Sequence, residues 1–440
     1  MLEKIERLMF RAVPLWLLLF AIIVLACGTA IFSASAVFVE RGGDLGLPGK
    51  IAHRTSTLPM TIMAAKEELL EEDVSVAHAF PLKDGIEIFS SPQDGYLAVN
   101  RTDDEFGYLK VSLLDIASGE EVHNWRALPS WFDPLDAQGL TATRSGIGMG
   151  YVDIERGELV TLVGAEGRLI KVDADSQLVW ENHEYIYHHL INLDADGNIW
   201  VPTQIDAHPA MMTFQPQYRD DGFAQISAQG EVLYHKSVTD ILLQNGLENL
   251  LFMKLVEPDQ IHLNSVDIAD ADTPYWKRGD VLLSLRHLSM VILFRPSTDK
   301  VIWYQVGPWL NQHDAEFRKD GQISVFGNDV VTNNIDRTTE KSPYRYGHNT
   351  IYVHDFKTGQ TTKPYDAQMA ASPVNTVTGG AVSYAPNGRF VINYDNQAVA
   401  DIYSSLGTLV GRYARLNAAG RAVRGSVMLF DDGNYNWLEK

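Results

Sequence analysis

The chain has 440 residues and a formal net charge of −20. That length admits several small domains or one large all-β body. The acidic balance leaves no basic footprint for nucleic acid, so nucleic-acid binding is excluded as a function class. A single cysteine, Cys27, rules out any intrachain disulfide.

The amino-terminal stretch 12–39, "AVPLWLLLFAIIVLACGTAIFSASAVFV", carries no charged side chain. Roughly 20 apolar residues suffice to cross a bilayer, and Lys4, Arg7 and Arg11 precede this stretch while Glu40 follows it. It is expected to be a single transmembrane helix with a cytoplasmic amino terminus, an inner-membrane anchor that places the rest of the chain in the periplasm. "VLACG" around Cys27 also resembles a bacterial lipobox, but the apolar run continues well past it. Either reading tethers the chain to a membrane. Residues 1–42 are thus assigned to the cytoplasmic tip and anchor, 43–79 to a linker with a short helix at "IMAAKEELLEED" (62–73), and 80–440 to the exported body.

The body is rich in Val, Ile, Tyr, Trp and Thr in short alternating runs, an all-β signature. "VTDILLQNGL" (238–247) is the one further helical candidate. A turn of Asp or Ser with Gly or a small residue, followed by a strand that often ends in an aromatic, recurs six times. The copies are "LDIASGEEVHNW", "KVDADSQLVW", "ISAQGEVLYH", "FRPSTDKVIWY", "VHDFKTGQTTKPY" and "IYSSLGTLVGRY". Spacing of roughly 50 to 70 residues fits one four-stranded blade per copy and predicts a six-bladed β-propeller.

A second motif, strand, Asp/Asn-Gly, strand, appears as "SPQDGYLAV", "HLINLDADGNIWV", "HDAEFRKDGQISVF" and "AVSYAPNGRFVI". Aligned on the turn glycine, His189 and His313 occupy one position, and Gly380 occupies it in a third copy. Equivalent positions of successive blades converge near one mouth of the channel, so the two histidines are expected to face a common cavity. His188 is the rival to His189, and strand alternation turns one of the pair away.

Between these hairpins, His262 and Asn264 are read on one strand face, with Arg286 and His287 on the return strand "LLSLRHLSMVILF". A guanidinium in an apolar strand demands an anionic partner. His189, His262, Asn264, Arg286 and His313 together make a donor-rich funnel suited to a tetrahedral oxyanion. Structural ion pairing of Arg286 with Asp267 or Asp314 is the plainer alternative. Three histidines can also hold zinc, but no close-spaced ligand motif is present and a nearby arginine opposes a cation, so no metal is expected.

"YHHLINLDADGNIWV", "IHLNSVD", "LLSLRHLSMVI" and "QHDAEFRKDGQISVFGN", in that order, resemble the signature segments of bacterial arylsulfotransferases that do not use the nucleotide sulfate donor. The resemblance covers roughly 80–435 and is strongest over 185–330. It implies a six-bladed propeller that moves a sulfuryl group from a phenolic sulfate ester to a phenol through a sulfated histidine, without metal, nucleotide or other cofactor. His313 matches the nucleophile, His262, Asn264 and Arg286 match residues around the sulfate, and His189 matches a further active-site histidine. His188 and His287 stand beside them as substrate-binding candidates. A non-catalytic propeller serving as a subunit of a membrane complex is the alternative from another class, and a quinone-dependent propeller dehydrogenase is a third.

Overall fold

In the computed structural model each of the six repeated turns joins the third and fourth strands of its own antiparallel sheet. The structure describes residues 82–90, 93–102, 109–126, 147–163, 167–253, 259–331, 344–345, 347–416, 425–433 and 435–438, with four positions near the amino terminus, 20, 24, 28 and 32. The chain divides into two units, 1–74 and 75–440. In the first unit only those four positions are described, and all four are helical. Among the described residues no helix is long and apolar enough to cross a membrane. Cys27, all but four positions of 12–39, and the expected helix over 62–73 lie outside the described residues.

The second unit is a six-bladed β-propeller. Its blades have innermost strands Val427–Phe430, Ile147–Asp153, Asn192–Leu193, Leu263–Ile268, Asp314–Arg318 and Ala381–Tyr384, numbered here as blades one to six. Blade one takes its innermost strand from the carboxyl-terminal end of the chain, paired antiparallel to Tyr96–Thr102. Blade six gains a fifth, outermost strand, Gly85–Ile88, paired with Leu409–Ala414. The ring is closed from both ends of the propeller sequence.

Burial follows radial position. In blade four all five residues of Val281–Leu285 are buried, because neighbouring blades cover both faces of a middle strand. The outer strand Lys300–Val306 alternates between exposed and half-buried, as a strand covered on one face should. The aromatic that ends the repeated strand clasps the next blade. The indole N–H of Trp125 donates to Gly157 O at 3.0 Å, and that of Trp180 to Ala228 O at 2.9 Å. Trp180 lies over Gly230, which has φ +91° and no room for a Cβ, since an atom there would stand 2.8 Å from the indole. Glycine is therefore required twice at that turn, by conformation and by space.

Around the channel, polar side chains of one inner strand bond the backbone of the next blade. Asn192 Nδ2 donates to Val266 O (2.9 Å), Ser265 Oγ accepts from Ala315 N (3.2 Å) and Asp267 Oδ2 from Phe317 N (2.6 Å). Asp314 Oδ2 accepts from Val382 N (2.9 Å) and Ser383 Oγ from Leu429 N (3.1 Å). Inner strands have a free edge, and these bonds satisfy donors that no further strand can meet. The helix expected at 238–247 is present as Val238–Gln244, capped by Ser237 Oγ on Asp240 N.

Candidate active site

Blades three, four and five bring the predicted residues together where their inner strands begin. The rings of His189 and His262 lie 4.9 Å apart between centroids, and those of His262 and His287 lie 4.5 Å apart. Arg286 NH1 donates to His287 Nε2 at 2.6 Å. His189, Asn264 and His313 line one cavity of about 1130 Å³ together with Asp267, Asp314 and Glu316.

Local geometry differs from the strand reading in two places. Arg286 and His287 belong to a 3₁₀ turn, Arg286–Leu288, that links two buried strands. His262 precedes its strand with φ +52°, so its side chain is aimed by a left-handed backbone and not by alternation with Asn264. His189 likewise has φ +60° and lies outside a strand. That kink, and not strand pleat, separates the pair: His189 lines the cavity, while His188 Nε2 lies 3.6 Å from Asp221 Oδ1. Their Nδ1 atoms are 2.6 Å apart, so one donates to the other.

Hydrogen bonds set the remaining orientations. His262 Nδ1 donates to Asp259 Oδ2 at 2.7 Å, and His287 Nδ1 donates to the Asp259 carbonyl. Asn264 Nδ2 donates to Gln312 O at 2.8 Å, while its buried Oδ1 has no hydrogen-bond partner among the described residues. Asn264 thus keeps an unused acceptor oxygen, where the sequence reading expected a donor. Of the acids considered as partners for Arg286, Asp267 and Asp314 are both engaged by backbone N–H groups of the next blade.

His313 is 5 % exposed. Its Nδ1 lies 2.6 Å from Asn328 Oδ1, and its Nε2 accepts from Gly379 N–H at 2.9 Å with Thr378 Oγ at 3.4 Å. Burial, and then the charges of Arg286 and His262, hold its pKa well below the ordinary imidazole value. His189 is lowered in the same direction by burial and then by His188, His262, His313 and Arg286. His287 is lowered to about 4 by burial and His262. Burial pushes Asp259 up, yet its hydrogen bond with His262 and the surrounding positive charge outweigh this and bring it to about 2. Further along the channel burial raises Asp267 and Asp314 to about 7 each and Glu316 well above its usual range.

Asp259, His262 and His287 have ligand atoms close enough together for a metal ion. Their contacts fit that use poorly: His287 Nε2 is engaged by a guanidinium, and His262 Nδ1 is spent on Asp259. Reading the sequence alone missed Asn328, Asp259 and the Thr378–Gly379 pair. Counting the hairpin register outward from the Gly321 turn, where Asp314 faces Phe326, brings Asn328 next to His313, and Asp259 lies three residues before His262. No such signal exists for Thr378 and Gly379, which arrive from 65 residues away.

This clustering of imidazoles, arginine and amide around the starts of the inner strands coincides with a family match. The family model for arylsulfotransferase (ASST) matches residues 167–415, more than half of the chain. The chain belongs to the arylsulfotransferase family. All the site residues from His188 to Gly379 fall within the matched segment. No curated protein matches the chain at a significant level.

Among solved structures, a protein of unknown function from Bacteroides caccae is 11% identical, with 77% of this chain and 99% of that chain covered and a TM-score of 0.48. Hydrazine synthase from Kuenenia stuttgartiensis is 12% identical over 74% of this chain and 90% of that chain, with a TM-score of 0.41. A functionally unknown protein from Desulfotomaculum acetoxidans is 8% identical over 77% and 100%, with a TM-score of 0.42. At such identities and scores these likenesses carry no functional weight.

Proposed function

We propose that the protein is an aryl sulfate sulfotransferase that moves a sulfuryl group from a phenolic sulfate ester to a phenol through a sulfohistidine at His313. Supporting this is one arrangement: a buried His313, neutral at neutral pH, on the same cavity as His189 and Asn264, with Arg286 close enough to depress its pKa.

Sulfuryl transfer resembles phosphoryl transfer, with charge spread over peripheral oxygens, so positioning and electrostatics dominate the catalysis. His313 attacks sulfur, an N–S bond forms, and the aryl S–O bond breaks with its electron pair leaving on the phenolate. The phenolate departs as the anion, and His189 or His262 takes the proton of the incoming phenol and passes it to solvent. The second phenol oxygen attacks sulfur, the N–S bond breaks, and the lone pair returns to His313. Arg286 supplies positive potential to the sulfuryl oxygens, and Asn264 forms part of the wall of the cavity that holds them. Gly379 N–H, now on Nε2, must leave the lone pair as the donor enters.

We extend the proposal to location: a single span over 12–39, a linker to about residue 79, and a periplasmic propeller. The test incubates the full chain with 4-nitrophenyl sulfate and a phenol. Nitrophenolate release that depends on acceptor and is lost in His313→Ala is expected; no release with any phenol defeats the proposal, and release unchanged in His313→Ala defeats the nucleophile assignment.

A further inference from the structure

We infer that Asn328 is a positioning residue that holds His313 in one neutral tautomer, hydrogen on Nδ1 and lone pair on Nε2, and so makes Nε2 the atom that receives the sulfuryl group. The catalytic consequence rests on the transferase proposal above; the tautomer does not.

Two independent contacts specify the same proton. Asn328 is 1 % exposed, and its Nδ2 donates to Gly379 O at 2.9 Å and to Thr376 O at 3.2 Å. Both amide hydrogens are therefore used on carbonyl oxygens, which cannot donate. Turning the amide over would set its oxygen against two carbonyls, so the orientation is fixed and Oδ1 faces His313 Nδ1 at 2.6 Å. An amide oxygen only accepts, hence Nδ1 carries the hydrogen. At the other ring edge a backbone N–H, which only donates, lies 2.9 Å from Nε2, hence Nε2 carries the lone pair. The opposite tautomer would place two lone pairs together on one side and two hydrogens on the other.

The anchor behind Asn328 is itself bonded. Asn349 Nδ2 donates to Asn328 O (2.9 Å) and to Thr376 O (2.8 Å), and Asn349 Oδ1 accepts from Thr376 N (2.6 Å). The same pair of asparagines thus holds the acceptor for Nδ1–H and the 376–379 segment that caps Nε2. In water, imidazole favours hydrogen on Nε2, so the protein must supply this interaction to reverse the preference.

The test compares wild type, Asn328→Leu and Asn328→Asp as full chains labelled with ¹⁵N-histidine. Magic-angle-spinning NMR reads the tautomer, with the His313 signals assigned by their loss in His313→Gln. Wild type is expected to show His313 as the Nδ1–H form alone. Asn328→Leu should populate the Nε2–H form, with nitrophenolate release lowered by up to about 10⁴-fold, the loss seen when a catalytic histidine is held in the wrong tautomer. Asn328→Asp keeps an acceptor on Nδ1–H and adds negative charge, so His313 keeps its tautomer but becomes imidazolium at higher pH.

Wild type in the Nε2–H form, or Asn328→Leu with an unchanged tautomer, overturns the inference. If Asn328→Leu does not fold, Asn328→Asp decides: an upward move of the His313 titration supports the inference, and an unmoved one refutes it. A wild type that shows the expected tautomer but releases no nitrophenolate defeats the transferase proposal and leaves the tautomer assignment standing.

Discussion

Replacing Arg286 by glutamine removes the fixed charge next to His313 and His189 while leaving an N–H to meet His287 Nε2. Arg286 is 6 % exposed, so its charge is little screened by solvent. A preorganised donor at an oxyanion is typically worth about 3–4 kcal/mol, which corresponds to a loss of ~10²–10³ in kcat. A second effect adds to it. Arg286 is one of the charges that lower His313 and His189, so its loss lets each imidazole bind a proton at higher pH. The neutral nucleophile is then lost sooner as pH falls, and the wild-type to variant ratio should widen as pH drops below the ordinary imidazole range. Nitrophenolate release from 4-nitrophenyl sulfate, quenched into alkali before reading, measures both effects. A folded Arg286→Gln variant with less than about tenfold loss, or a ratio that does not change with pH, would refute the electrostatic role.

Trp437 lies beyond the closing strand, donating its N–H to Ile154 O at 2.6 Å and packing 5.6 Å from Trp125 between ring centroids. Trp437→Ala should cost about 2–4 kcal/mol, less than a fully buried tryptophan because the residue is half-buried, and lower the urea midpoint without changing acceptor preference. Asp267 has a folded pKa of about 7 against an ordinary value of 3.8, so the folded state holds the extra proton between those values and the stability it contributes is lost as pH rises toward and through 7. Asp267→Asn keeps an oxygen for Phe317 N–H and abolishes that slope, so its melting temperature relative to wild type should be higher at pH 8 than at pH 5; a difference independent of pH contradicts the assignment. Deleting residues 1–42 should release the protein from membranes into the soluble fraction after alkaline carbonate washing, whereas continued sedimentation with the membrane would rule out a sole anchor at 12–39.

Much of the architecture was legible because its determinants are local. Each repeated turn ends in a strand whose aromatic clasps the following blade, so Trp125 and Trp180 had to recur at blade intervals. His189 and His313 were recoverable from glycine-anchored alignment because both stand eight residues before a turn glycine. What failed did so for physical reasons. "LSLRHLS" reads as continuous strand because its flanks are apolar, yet Ser289 in the left-handed region lets a 3₁₀ turn interrupt it. The addition of Gly85–Ile88 to blade six and the arrival of Gly379 at His313 are long-range pairings, which leave no periodic trace in either partner.

The strand Val427–Phe430 completes blade one by pairing with Tyr96–Val99, a segment made more than 300 residues earlier. At about 5–20 residues per second, tens of seconds separate synthesis of the two halves of that sheet. The ring cannot shut until both strands have been made. A chain sent through a membrane in an unfolded state has no such difficulty, since both ends are then delivered before the last blade must form. Until that moment the inner edge of Tyr96–Thr102 is an open strand, and binding by a holding factor there would guard it from pairing with another chain.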